Sequence, residues 1–259
     1  MALPVLPAKY YLTHFFEFIG FLEKYNFTLL GTRETQFIAN FRALSEDAQC
    51  TFVRMANRKS SLFDRSTFQK YIEIENTETA FEELIAEGFA FAVAEKDVAQ
   101  LLSFLTKAKL HKWLLANGIS TSQGLSRDEL ILAARENLKT LEIKKLKGFE
   151  KIIVQGFEQE LQYLLFLSFG QIQKSLTLYT LRDLGIRETH QFRREFKPRF
   201  SNIFEALNEY FFAKSLDENI KSPEALRELL TRALGFVQLE SGAQALKDQL
   251  LFEIAAKLS

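Results

Sequence analysis

Between Thr106 and Lys139 the sequence reads TKAKLHKWLLANGISTSQGLSRDELILAARENLK, a stretch that marks the ends of its own helices. Thr106 can cap the free amides of a helix carrying Lys107, Lys109 and Lys112. Asn117-Gly118 closes that helix, because glycine takes the left-handed conformation found at helix ends at little cost. Ser126-Arg127-Asp128-Glu129 fits a capping box, in which serine and glutamate satisfy each other's backbone amides. Two short helices joined by a loop from Ile119 to Leu125 are therefore expected.

This pair opens the one strongly basic region of the chain. From Leu105 to Lys151 there are ten Lys or Arg against five acids, and the first 23 of those residues carry no acid. The whole chain holds 33 basic and 33 acidic residues, so a polyanion has to be met by a local patch rather than by the whole surface. Within the patch, Thr106 to about Lys139 reads as the grip and Lys144 to Lys151 as a solvated connector.

With 259 residues and 26 phenylalanines the chain can build real cores. A single cysteine, Cys50, excludes an intramolecular disulfide framework and a multi-cysteine zinc site, and fits a reduced, cytoplasmic setting. MALPVLPAKYY lacks the pattern of a signal peptide, and the apolar patch from Leu161 to Phe169 is broken by Gln162 and Ser168. Neither a leader nor a membrane span is expected.

Ahead of the basic stretch, Tyr11, Phe15, Phe18, Ile19 and Leu22 recur at helical spacing. Further helices are expected over about Glu34–Ala43, after a Ser45 cap, and from Thr77 to Glu87, with Gly88 as stop and Phe89–Val93 as a strand. The helix after Ser45 brings Arg54, Arg58 and Lys59 near its end. These three can grip phosphate or form a solvated helix terminus, since cations favour that position. Helices followed by a small strand at a glycine-marked bend are the outline of a winged helix. The acids Glu73, Glu75, Glu78, Glu82, Glu83 and Glu87 would repel phosphate from its usual reading helix, which leaves the Arg54 to Lys59 side for any grip. Gly148 to Gly170 is of mixed periodicity and helical in its second half, and Leu176–Leu181 reads as a strand. In ETHQFRREFKPRF, Arg193, Arg194, Lys197 and Arg199 alternate with Phe192, Phe196 and Phe200, either as aromatic faces beside phosphate-binding cations or as core with wet cations. Helices over Asn202–Leu216, from Ser222-Pro223, and in the terminal LKDQLLFEIAAKLS complete the pattern.

A short basic helix, an Asn-Gly turn with Ile119, and Gly124 before a helix with Leu130 and Ala133 resemble a SAP motif, a DNA-binding helical pair. SAP motifs place a lysine just after that glycine, where this chain has Leu125, Ser126 and then Arg127. The segments YYLTHFFEFI, FVRMANRKSSLF, the SAP-like pair and LYTLRDLGIRETHQFRREFKPRFSNIFEALNEYFFA follow one another as in the N-terminal half of the Fanconi-associated, VRR-NUC-containing DNA repair nucleases of bacteria. The resemblance covers about Tyr10 to Leu216. Near Ile203 such relatives carry a strongly polar or basic residue. The resemblance implies a helical and SAP DNA-binding region, then a helical-repeat region and a metal-dependent nuclease domain that cuts 5′ flaps and helps unhook crosslinks.

A nuclease of that kind needs an acid followed by an acid-x-Lys tripeptide on a strand, to hold Mg²⁺ and orient water. Asp128 with Glu142-Ile143-Lys144 has the residue types, but Asp128 is better explained as a first-turn helix acid and Leu141–Lys147 as a lysine-rich helix end. No catalytic residue, metal ligand or cofactor is assigned to this chain; Mg or Mn belongs to the full-length family.

The expected fold is mainly α: a winged-helix-like unit over 1–97, a SAP-type pair over 98–140, a mixed α/β segment over 141–201 completing the DNA-binding region, and C-terminal helices over 202–259 opening a truncated helical-repeat region. The expected function is gripping the phosphates of flapped or branched DNA through Arg54, Arg58, Lys59, Lys107, Lys109, Lys112, Arg127, Arg193, Arg194, Lys197 and Arg199. The expected setting is the bacterial cytoplasm at the nucleoid, with a nuclease domain supplied in cis or in trans. The alternative is a scaffold module whose basic patch docks an acidic partner.

Overall fold

The structure is a computed structural model and describes residues 7–122, 124–173, 176, 198–220 and 222–258. It is mainly α. The helices are α1 (Tyr10–Tyr25), α2 (Thr32–Ala43), α3 (Glu46–Ala56), α4 (Thr77–Ala86), α5 (Val98–Phe104), α6 (Lys107–Ala116), α7 (Arg127–Glu136), α8 (Glu158–Phe169), α9 (Ile203–Asp217), α10 (Pro223–Leu234) and α11 (Ser241–Leu258). Three short strands, β1 (Leu62–Asp64), β2 (Ala90–Ala92) and β3 (Ile152–Gln155), form an antiparallel sheet in the order β1–β3–β2. The strand expected over Leu176–Leu181 and the cations Arg193, Arg194 and Lys197 lie outside the described residues.

The chain divides into two compact units. One comprises Pro7–Leu12 and Arg42–Glu158, the other Thr13–Phe41 and the described residues from Gln159 onward. Divisions at residues 97/98 and 140/141 both fall inside the first unit.

In that first unit, α3 is capped by Ser45, whose Oγ accepts the Ala48 N–H, with Glu46 and Asp47 in the first turn at the positive end of the helix dipole. The core runs through edge-to-face rings: Phe52 on Phe89 at 5.1 Å, Phe63 on Phe68 at 6.1 Å, and Phe68 on Phe81 at 5.2 Å. The order α3–β1–α4–β2–β3 with β3 central is a winged-helix arrangement, and its β2–β3 connection is expanded from a short wing into the residues that carry α5, α6 and α7. The helical pair α6–α7 thus lies within the connection between β2 and β3.

Strand β3 was not expected, because IIVQ lacks the alternation of a half-buried strand. It is covered on both faces, which gives a continuous apolar run instead. Ile152 and Val154, with Leu62 opposite Val154, pack into the core of the helical pair. Ile153, opposite Phe63, faces the other way and is buried beside it. Where β3 ends, Gly156 donates its N–H to Phe89 O at 2.8 Å, and a Cβ there would sit 2.1 Å from the Gly88 carbonyl oxygen. Only glycine permits that approach.

In the second unit, Phe15 and Phe41 meet edge-to-face at 4.7 Å, Tyr163 Oη donates to Leu29 O at 3.0 Å, and the Arg33 guanidinium pairs with the buried Glu160 at 2.8 Å. Ser222 and Pro223 start α10 as the sequence indicates, with Ser222 Oγ accepting the Ala225 N–H. α9, α10 and α11 share a core built on Phe212, Leu226, Leu229, Leu250 and Ile254. Among the described residues no helix is long and apolar enough to cross a membrane.

Candidate nucleic-acid interface

Both expected caps of the helical pair form. Thr106 Oγ1 accepts the Lys109 N–H at 3.4 Å. Ser126 Oγ accepts the Glu129 N–H at 3.2 Å while Glu129 Oε2 accepts the Ser126 N–H at 2.6 Å. That backbone bond holds the Glu129 carboxyl below the usual carboxylate range. Gly118, at φ +78°, turns the chain out of α6. His111, half-buried, donates through Nε2 to Thr121 O at 3.2 Å and tethers the following loop.

The segment after α7 returns to α6. Trp113, 1 % exposed, donates its indole N–H to Glu142 O at 2.9 Å, and Asn117 Oδ1 accepts the Glu142 N–H at 2.8 Å. Leu141, Ile143 and Leu146 enter the core around Leu110, Trp113 and Leu114. With those three positions committed inward, the intervening Glu142, Lys144 and Lys145 and the following Lys147 are left on the surface. Gly148, at φ +82°, then turns the chain into the 3₁₀ turn Phe149–Lys151 ahead of β3.

The result is an open cleft of about 630 Å³ whose lining includes Lys109 and Lys112 from α6, Lys145, Lys147 and Lys151 from the returning segment, Asp64 from the end of β1 and Ser66 from the 3₁₀ turn after it. The lysines of Lys144 to Lys151 are exposed, as a solvated connector implies, and three of them line the same cleft as the α6 lysines. Lys112 also borders a second depression with Lys107, Ala108 and His111.

Other expected contacts are placed differently. The Arg127 side chain turns back on α5, donating to the carbonyls of Leu105 at 3.2 Å, Leu102 at 3.3 Å and Ser103 at 2.7 Å. It satisfies the open end of α5 and fixes α7 against it. Arg54 is likewise committed inside the protein. Its guanidinium reaches Glu73 Oε1 at 2.5 Å and lies 3.8 Å from the Tyr11 ring centroid and 4.4 Å from that of Tyr71. Tyr11 Oη donates to the same carboxylate oxygen at 3.0 Å. The Glu73 side chain is 7 % exposed and that of Arg54 25 %. Burial opposes charging either group, yet their mutual hydrogen bond prevails, raising the Arg54 pKa and lowering that of Glu73. Arg58 donates to Tyr71 Oη at 2.6 Å with its guanidinium over the Phe68 ring, while Lys59 is exposed. Arg199, exposed, belongs to the second unit and lies against Gly170.

Asp128 is an exposed first-turn acid of α7, and Ile143–Lys145 is a 3₁₀ turn rather than a strand. Among the described residues no group of three or more His, Cys, Asp or Glu side chains is placed to hold a metal ion. Cys50 is buried, which pushes its thiol pKa up.

Residues 9–91 match the family model described as the FAN1 HTH domain. A curated Fanconi-associated nuclease 1 homolog from Pseudomonas aeruginosa is 28% identical over 263 residues, which cover 97% of this chain and 45% of that protein. A crystal structure of paFAN1 bound to 2-nt 5′-flap DNA with a gap matches with a TM-score of 0.79 at 25% identity, over 98% of this chain and 46% of that one. A second, with a 1-nt 5′ flap and a gap, matches with a TM-score of 0.74 at 24% identity, over 96% and 46%. The chain thus spans about half the length of the relatives it matches. Over nearly its whole length, the chain is similar to the N-terminal part of a bacterial Fanconi-associated nuclease 1.

Proposed function

We propose that this chain is the DNA-binding region of a structure-specific repair nuclease, and that it grips the phosphate backbone of flapped or branched DNA in the cleft between α6 and the segment Lys145–Lys151. The observation that carries this reading is the convergence of five lysines on one cleft in a chain of zero formal net charge. Lysine is a flexible point charge suited to phosphate rather than to base edges, so the contact positions DNA without reading its sequence. The fold is the one that paFAN1 presents in crystals with flap DNA.

Within this reading the contact set is Lys109, Lys112, Lys145, Lys147 and Lys151, flanked by Lys107. Arg54 and Arg127 act as internal braces. Cleavage is the task of a VRR-NUC domain, in cis or in trans, using Mg²⁺ or Mn²⁺, and crosslink unhooking belongs to that larger protein. The cellular setting is the bacterial cytoplasm, at the nucleoid.

Fluorescence anisotropy with labelled flap, duplex and single-stranded DNA tests the reading. Binding to flap DNA that varies little with base sequence and weakens steeply with salt is expected. Failure to bind any of the three probes at low salt contradicts it, and salt-resistant capture of an acidic protein instead supports a scaffold role.

A further inference from the structure

The lysine cleft contains a carboxylate that its fold does not need. Asp64 ends β1, where its register opposite Ile152 fixes its position. Its Oδ1 accepts the Ser66 N–H at 3.1 Å and the Ser66 hydroxyl at 2.6 Å, capping the 3₁₀ turn Arg65–Phe68. Its other oxygen, Oδ2, lies 3.7 Å from Lys109 Nζ, across from α6. The capping role requires an oxygen acceptor and no charge, since asparagine caps as well as aspartate. The negative charge at 64 is therefore surplus to the local structure, and it is aimed at a lysine of the cleft.

We propose that Asp64 is a resident counter-charge for Lys109, which competes with phosphate for that lysine and so sets the affinity and salt dependence with which the cleft holds a nucleic-acid backbone. The inference rests on the proposed phosphate-binding role of the cleft. At 3.7 Å the contact is a loose ion pair, and the two side chains are 21 % and 51 % exposed. It exchanges readily for a phosphodiester, because partly exposed pairs contribute little net stability. A phosphate entering beside Lys109 meets the Asp64 charge in return. Two like unit charges about 6 Å apart in a water-like dielectric disfavour binding by about threefold, and more where the dielectric is lower. Lys112, Lys145, Lys147 and Lys151 stand on the same lining, with Glu150 as its other acid. Lys145 has its own counter-charge in Glu142 at 2.7 Å, so Asp64 acts on the α6 lysine and not on the returning segment.

The test compares wild type, Asp64→Asn, Lys109→Ala and the double variant for binding to a labelled 5′-flap DNA across a salt series, with thermal melts alongside. Asp64→Asn keeps the cap and should bind about three- to tenfold tighter. Lys109 freed from its competitor should steepen the dependence of log affinity on log salt by up to about 0.9. In the Lys109→Ala background the slope change should vanish and the gain in affinity should shrink to what direct repulsion between Asp64 and phosphate supplies. Should Asp64→Asn melt several degrees below wild type, Asp64→Ser, which retains an oxygen acceptor for the turn, carries the same comparison. Unchanged or weaker binding by a folded Asp64 variant overturns the proposal and leaves the phosphate-binding role standing, as does a gain equally large without Lys109. A wild type that binds no DNA at low salt overturns both.

Discussion

A guanidinium two residues from the end of a helix can face a ligand or its own protein, and the partner decides. Arg54 meets Glu73, 19 positions along the chain, in a site also closed by Tyr11 and Tyr71. Nothing in VRMANRKSS shows those partners, so the sequence conveys the charge and not its use. Arg127 is the same case: a cation in the first turn of α7 reads as surface, yet its donors reach three carbonyls around the end of α5. Replacing Arg54 with Ala leaves Glu73 ionised and nearly buried, and should cost about 2–3 kcal/mol of unfolding free energy in a urea titration. Because the Glu73 pKa is depressed in the fold, its contribution is complete above the unfolded value of about 4.3 and is lost as pH falls through the lower folded value. The variant should lose that acid-sensitive component below pH about 4.3, which melts at stepped pH would detect. Arg127→Ala should cost about 1.5–3 kcal/mol for the lost charged hydrogen bonds. Its folded fraction should bind DNA nearly as wild type does, and a loss of binding with stability intact would return Arg127 to the contact set.

At the scale of elements, helices with apolar periodicity and polar caps were legible, and a strand buried on both faces was not. The caps at Ser45, Thr106, Ser126 and Ser222 are local, each side chain accepting from an amide three residues on, so the sequence contains them whole. Ser126→Ala should lower stability by about 1 kcal/mol in denaturant unfolding. Strand β3 depends on partners about 60 and 90 residues earlier, and its run IIVQ shows no period because the winged-helix core lies on one side and the helical-pair core on the other. Gly156→Ala drives a methyl into the Gly88 carbonyl and should cost several kcal/mol or abolish folding. A Gly156→Ala variant that melts as wild type does would refute the backbone-to-backbone packing at the end of β3.

For the whole molecule, a mainly α fold and its similarity to Fanconi-associated nucleases were readable from the order of segments, while the assembly of the cleft was not. Lys109 and Lys112 stood out within an acid-free run. Lys145, Lys147 and Lys151 looked like linker because their meeting with α6 depends on Glu142 being pinned by Trp113 and Asn117, 29 and 25 residues away. The usable signal was the set of buried positions Leu141, Ile143 and Leu146, which obliges Lys145 between them to face out and leaves Lys147 and Lys151 to the turn that follows. The central claim is that lysines from these two stretches act as one phosphate-binding surface. Its most direct measurement is the salt dependence of 5′-flap DNA binding for wild type and for the triple variant Lys145→Ala, Lys147→Ala, Lys151→Ala, with matched melting curves. Weaker binding on every sequence is expected, with a slope of log affinity against log salt shallower by up to about 2.7 on duplex-like sites, from about 0.9 per lost contact. A triple variant that melts as wild type does and binds with the same affinity and slope would contradict it.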